Sequence, residues 1–176
     1  MSERTRNALV ECGALLYGDF TLASGKKSRY YIDIKKASTD PKVLKLIAEE
    51  MSLLLREKGL KVDRIAGVVL GSIPLAVALS LETGIPFIMV RKEKKDHGTT
   101  KLIEGVCSKG ERVLVVEDVV TSAGSALYAI DVLRNEGMTV ENIFSVVDRE
   151  EGGKQKLEEI GVSLSSLVAA TDVLRQ

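Results

Sequence analysis

The chain carries no net charge: 25 lysine and arginine residues balance 25 aspartate and glutamate residues. Nothing global points to nucleic acid, so any anion site must be a local arrangement of charge. Cysteine is scarce. Cys12 and Cys107 stand far apart, with no CxxC or Cys/His spacing for a metal. Two reduced thiols are the expected state, although counting alone leaves one disulfide open. No run of about 18 apolar residues is present, so no membrane span is expected. The N-terminus, MSERTRNALVECG, carries Glu3 and an amphipathic pattern. It lacks the apolar core and small-residue cleavage site of a signal peptide, and a cytoplasmic location is the default expectation. Repeats, low-complexity segments and Pro/Gly/Ser linkers are also missing. One domain over 1–176 is therefore expected, with a short N-terminal lobe at 1–40.

What is present is an ordinary globular balance, 45% apolar and 28% charged, in a length that suits one sizeable core. Residues 3–16 read as a helix ended by Gly18, with Leu9, Val10, Ala14 and Leu15 on one face. Residues 28–34, SRYYIDI, read as a strand. The spacing predicts a helix over 41–58. Asp40 can cap it, Pro41 suits its first position and Gly59 stops it. Its apolar stripe is Val43, Leu44, Ile47, Met51, Leu54 and Leu55; its polar face is Lys42, Lys45, Glu49, Ser52 and Arg56. Beyond it, strands (64–70, 87–90, 112–116, 142–147) alternate with helices (73–81, 122–136). Continuous apolar strands separated by helices predict an α/β fold with a mostly parallel sheet covered on both faces. In such sheets ligands bind beyond the carboxyl ends of the strands.

The segment after Val116 reads Glu117-Asp118-Val119-Val120-Thr121-Ser122-Ala123-Gly124-Ser125. Its small and hydroxyl residues let backbone N–H groups approach an anion, and the following helix adds its positive end. The pattern suits a phosphate monoester, but it is no nucleotide P-loop, because Gly-Lys-Ser/Thr is absent. The two acids would repel phosphate yet accept well from sugar hydroxyls. Together they suggest a ribose 5-phosphate. A solvated acidic turn with Ser122 as a helix cap explains Ser122 and leaves the rest unexplained.

This stretch resembles the signature of type I phosphoribosyltransferases. In that family the acid pair holds the ribose hydroxyls of 5-phosphoribosyl 1-diphosphate (PRPP), and the loop holds its 5-phosphate. The resemblance assigns Glu117 and Asp118 to the first role, and Val119, Val120, Thr121, Ser122, Ala123, Gly124 and Ser125 to the second. It implies a central mostly parallel sheet flanked by helices, a small N-terminal hood and a flexible catalytic loop.

Three further segments resemble orotate phosphoribosyltransferases in particular. Arg91-Lys92-Glu93-Lys94-Lys95-Asp96-His97-Gly98 is similar to their catalytic loop. By composition alone it would be a solvated hairpin. The resemblance places Arg91, Lys92, Lys95 and His97 on the diphosphate, and implies Lys95, His97 and Asp118 as catalytic residues. It also implies a homodimer whose 91–97 loop completes the neighbouring active site. Ser24-Gly25 through Tyr30-Tyr31-Ile32-Asp33 is similar to SGxxSxYYxD, which puts Tyr30 and Tyr31 at the pyrimidine. Arg149 ends a strand on the ligand side and suits anionic orotate, with Thr121 also meeting the base; a salt bridge to Asp148 or Glu151 is its plainer reading. The implied reaction converts orotate and PRPP to orotidine 5′-monophosphate and diphosphate. Mg²⁺ is expected as cofactor, bound mostly through substrate oxygens and water.

Two cations of the pattern are missing. Ala23 and Gly71 stand where many bacterial members carry lysine, and Gly71 with Ser72 could bind diphosphate by backbone N–H and hydroxyl instead. Retained chemistry with altered affinity is the expectation. The rival readings are a phosphoribosyltransferase for another base and a non-catalytic PRPP-sensing paralogue. No basic recognition helix is evident for a regulator.

Overall fold

Asp40 begins the clearest element. Its Oδ1 accepts hydrogen bonds from the backbone N–H of Lys42 (2.8 Å) and Val43 (3.1 Å), and Pro41 occupies the first turn. The computed structural model describes residues 2–21, 27–92 and 102–174. In chain order the elements are α1 (Glu3–Glu11), β1 (Leu15–Thr21), β2 (Lys27–Ile32), α2 (Ile34–Thr39), α3 (Pro41–Glu57), β3 (Arg64–Val68), α4 (Ile73–Thr83) and β4 (Phe87–Val90). They continue as β5 (Ile103–Glu104), β6 (Arg112–Val120), α5 (Gly124–Asn135), β7 (Thr139–Asp148), α6 (Gly153–Glu159), β8 (Ser163–Ala169) and α7 (Ala170–Leu174).

Six strands form one sheet in the order β5-β4-β3-β6-β7-β8, and β1 pairs with β2 in a separate hairpin. All pairings in the large sheet are parallel except β4 with β5. Successive residues of β6 enter cores on opposite faces. Leu114 and Val116 pack with Leu75, Leu79, Ile47 and Phe144. Val113 and Val115 pack with Ile130, Leu133, Ile143 and Leu157. That alternation explains why the central strands are continuously apolar. The parallel strands place their carboxyl ends, and the loops that follow β3, β4, β6 and β7, along one edge.

Several expectations change. The helix expected over 3–16 stops at Glu11, and Gly13 turns the chain at φ +70°. Leu15–Thr21 becomes a strand instead, pairing Leu15 with Ile32 and Tyr17 with Tyr30. Gly18 ends no helix; it lies inside β1, where the register shifts. Cross-strand pairing overrides the local helical pattern here. Ser52, expected on the polar face of α3, is buried and accepts from Arg56 Nη1 at 3.0 Å. Strand β6 runs four residues past Val116, because β7 continues to pair with it up to Val120 and Asp148. α5 accordingly starts at Gly124 rather than Ser122.

Candidate active site

The phosphate-loop residues lie between the end of β6 and the first turn of α5. Ser122 is not the helix cap. That position falls to Ala123, held in the left-handed region at φ +61°, and no side chain caps the helix. The first amides of α5 thus stay available to an external anion. Val119–Ala126 and Glu117 line one cavity of about 200 Å³. All seven loop residues picked from the sequence line it.

The loop is fastened from behind. Arg149 N–H donates to the Val120 carbonyl at 2.9 Å, and Gly153 N–H donates to the Thr121 carbonyl at 3.0 Å. A Cβ at Gly153 would lie 2.6 Å from that carbonyl oxygen and 2.7 Å from Val120 Cγ1. Only glycine permits so close an approach.

Glu117 and Asp118 are neighbours in a strand, so their side chains leave it in opposite directions. Glu117 is 4% exposed. Its Oε2 accepts a hydrogen bond of 2.5 Å from Ser72 Oγ, while its Oε1 is buried with no partner among the described residues. Burial pushes its carboxyl up to about 7; the Ser72 hydrogen bond and the charge of Lys92 oppose the rise, and Asp118 adds to it. Asp118 Oδ1 accepts from Val119 N–H at 2.8 Å. Its Oδ2 occupies the space beside Gly71, where a Cβ would come within 2.5 Å. The missing side chain at position 71 is therefore room for Asp118. Ser72's hydroxyl is committed to Glu117, which corrects the expectation that it serves diphosphate.

Tyr30 and Arg149 meet. The Arg149 guanidinium carbon stands 5.5 Å from the centre of the Tyr30 ring. Arg149 Nε lies 2.9 Å from Glu151 Oε1, although its N–H is not directed at that oxygen well enough for a hydrogen bond. The Glu151 ion pair is thus real, and it coexists with the tyrosine contact. Burial raises the Tyr30 phenol above its ordinary range, with Arg149 opposing; the phenol stays neutral at physiological pH. Tyr31 faces the other way, exposed, with its ring 5.7 Å from Phe20. The structure thus separates the two tyrosines and brings only Tyr30 to Arg149.

Arg91 and Lys92 begin the segment after β4. Arg91 Nη1 lies 3.4 Å from Glu104 Oε1, joining β4 to β5. The Lys92 carbonyl accepts from Tyr128 Oη on α5 at 3.2 Å, and the Lys92 charge is felt at Glu117. Lys95, His97 and Ala23 lie outside the described residues. A larger cavity, about 610 Å³, lies beside Tyr17, Asp19, Arg29 and Leu174, and the described residues that line it include none of the sequence-predicted ones.

Sequence reading offered Ser72 to diphosphate rather than to Glu117, and it gave Gly153 no part in supporting the loop. A serine before Ile73-Pro74 looks like a helix cap, and a Gly152-Gly153 pair looks like a turn. No local signal separates those roles from the observed ones.

A family model described as "Phosphoribosyl transferase domain" matches residues 35–170. The orotate phosphoribosyltransferase of Methanosarcina mazei is 54% identical over 168 residues, covering 96% of this chain and 89% of that protein. Among solved structures, orotate phosphoribosyltransferase from Aeropyrum pernix superposes with a TM-score of 0.82 at 37% identity, covering 96% of this chain and 94% of that one. The Mycobacterium tuberculosis H37Rv orotate phosphoribosyltransferase in complex with PRPP gives a TM-score of 0.79 at 31% identity, covering 97% and 98%.

Proposed function

This chain belongs to the phosphoribosyltransferase family, and we propose that it transfers the ribose 5-phosphate group of PRPP to orotate, releasing orotidine 5′-monophosphate and diphosphate. The observation that carries the reading is one cavity shared by Glu117 and the loop up to Ala126, tied through Val120 to the residue Arg149 that stands over Tyr30. Phosphate, sugar and anionic base would each meet matching chemistry along one sheet edge. The orotate phosphoribosyltransferases to which the chain is similar, one of them solved with PRPP, support it.

In this reading the amides and hydroxyls of Thr121–Ser125 hold the 5-phosphate. Glu117 and Asp118 accept from the ribose hydroxyls. Arg149 pairs with the orotate carboxylate and Tyr30 backs it, with Thr121 also meeting the base. Tyr31, which faces Phe20, takes at most a peripheral part. A ring nitrogen of orotate attacks the anomeric carbon with inversion, and the proton it carried passes to the departing diphosphate or to water. The bond from that carbon to the diphosphate oxygen breaks, and its electron pair leaves with diphosphate. Arg91, Lys92, Lys95 and His97 are assigned to the leaving group, whose charge grows in the transition state. Lys95, His97 and Asp118 are the residues assigned to catalysis.

Mg²⁺ belongs to this proposal as a companion of PRPP. Among the described residues no group of three or more His, Cys, Asp or Glu side chains is placed to hold a metal ion. The proposal assigns the ion mostly to substrate oxygens and water rather than to a protein cage. When bound, Mg²⁺ would supply charge neutralisation for the departing diphosphate. A homodimer in which the 91–97 loop completes the neighbouring site, and a cytoplasmic location, complete the proposal. No helix among the described residues is long and apolar enough to cross a membrane. Formation of orotidine 5′-monophosphate from orotate and PRPP, identified by mass, tests the reading.

A further inference from the structure

Ser72 stands where a helix cap should be and does not cap. It precedes α4 at the N-cap position, yet its side chain makes no bond to the helix amides. Such a cap ordinarily stabilises the helix it precedes. The hydroxyl instead donates to Glu117 Oε2, 45 residues away in sequence. Ser72 is 1% exposed, so the bond is sealed from water. A hydrogen bond to a buried carboxylate is among the stronger kinds. It also divides the two oxygens of Glu117. Oε2 is anchored; Oε1, buried and without a partner among the described residues, is left as the acceptor.

We propose that Ser72 is a positioning residue for the sugar. Its hydroxyl orients the Glu117 carboxylate so that Oε1 presents to a ribose hydroxyl. Ser72 is not among the residues lining the phosphate cavity, so it acts through Glu117. The inference rests on the proposed ribose-phosphate reading of this site and deepens it. Its distinctive consequence is selectivity. Ser72 should matter for ligands that carry the ribose diol and be silent for a bare phosphate, which meets only the loop.

The test uses the full-length protein and three probes: PRPP, ribose 5-phosphate and inorganic phosphate, each titrated by calorimetry against wild type and Ser72→Ala. The expected result is affinity lowered about tenfold for PRPP and ribose 5-phosphate, the scale of one charge-assisted hydrogen bond, with inorganic phosphate unchanged. Unchanged phosphate binding also certifies that the loop is folded. Ser72→Thr, which keeps the hydroxyl, should restore part of the ribose preference. Equal losses for all three probes would mean a merely structural role and overturn the inference. So would an unaltered ratio of ribose 5-phosphate to phosphate affinity. Should wild type itself show no preference for ribose 5-phosphate over phosphate, the site reading falls and the inference falls with it. If Ser72→Ala does not fold, the Thr variant carries the test, and a ribose preference lost despite retained phosphate binding and hydroxyl overturns the proposal.

Discussion

Arg149 lies with its guanidinium carbon 5.5 Å from the centre of the Tyr30 ring, although 119 positions part them in the chain (149 − 30). The contact joins the β1–β2 hairpin to the end of β7, and it picks out one of two adjacent tyrosines. A cation over a ring face is stabilised by about 0.5–2 kcal/mol, more as the pair is desolvated. Tyr30→Ala should therefore raise KM for orotate by roughly 3- to 30-fold. Tyr30→Phe keeps the ring and should stay near wild type. Tyr31→Ala, on the exposed face, should have the smaller effect. Steady-state kinetics with orotate varied at saturating PRPP checks all three.

Glu117 has its carboxyl pushed up to about 7 by burial. Its ionised form is the better acceptor for sugar hydroxyls. Affinity for ribose 5-phosphate, measured against inorganic phosphate as reference, should rise with pH through about 7 in wild type. In Glu117→Gln that component should be flat. Stability has the opposite sign. The folded state holds a proton that the unfolded chain releases above its ordinary value of 4.5. Stability from this group is therefore largest at low pH and declines as pH rises from about 4.5 to about 7. Denaturant melts of wild type and Glu117→Gln across that range would reveal the difference.

Gly153 gives a test of the loop's support. A methyl group there would collide with the Thr121 carbonyl oxygen and with Val120 Cγ1. Gly153→Ala should destabilise the fold by about 1–3 kcal/mol, as overpacking does. It should also weaken inorganic phosphate binding, because the displaced atoms belong to the cradle. Thermal melts and phosphate titration measure the two effects separately.

The resemblance leads to the expectation of a lysine where Gly71 stands, but the space beside it is occupied by Asp118 Oδ2. Restoring the lysine should not improve PRPP binding. Gly71→Ala and Gly71→Lys should both displace the Asp118 carboxylate and raise KM for PRPP several-fold. A Gly71→Lys variant with tighter PRPP binding would show that Asp118 moves aside at no cost.

Much of this was legible locally. Asp40-Pro41 and a regular apolar stripe specify α3, and apolar runs specify the central strands. The phosphate loop was readable because its residues are contiguous. The hairpin was not. The residues that end at Leu15 satisfy a helical pattern, and only pairing with the Tyr30-Tyr31 strand converts them to β1. Strand β8, Ser163–Ala169, interleaves three serines with Leu164, Leu167 and Val168, so its apolar residues form no continuous run. In the site, the unreadable contacts were those closed by the fold: Ser72 with Glu117 and Gly153 with Thr121. Period-two alternation separates Tyr30 from Tyr31 but cannot say which faces Arg149.

The most direct measurement is diphosphate release from PRPP with Mg²⁺ as orotate, uracil and purine bases are offered singly. Release with orotate, and little or none with the neutral bases, is the expected result. Release with a purine or uracil in preference to orotate, or none with any base, contradicts the assignment.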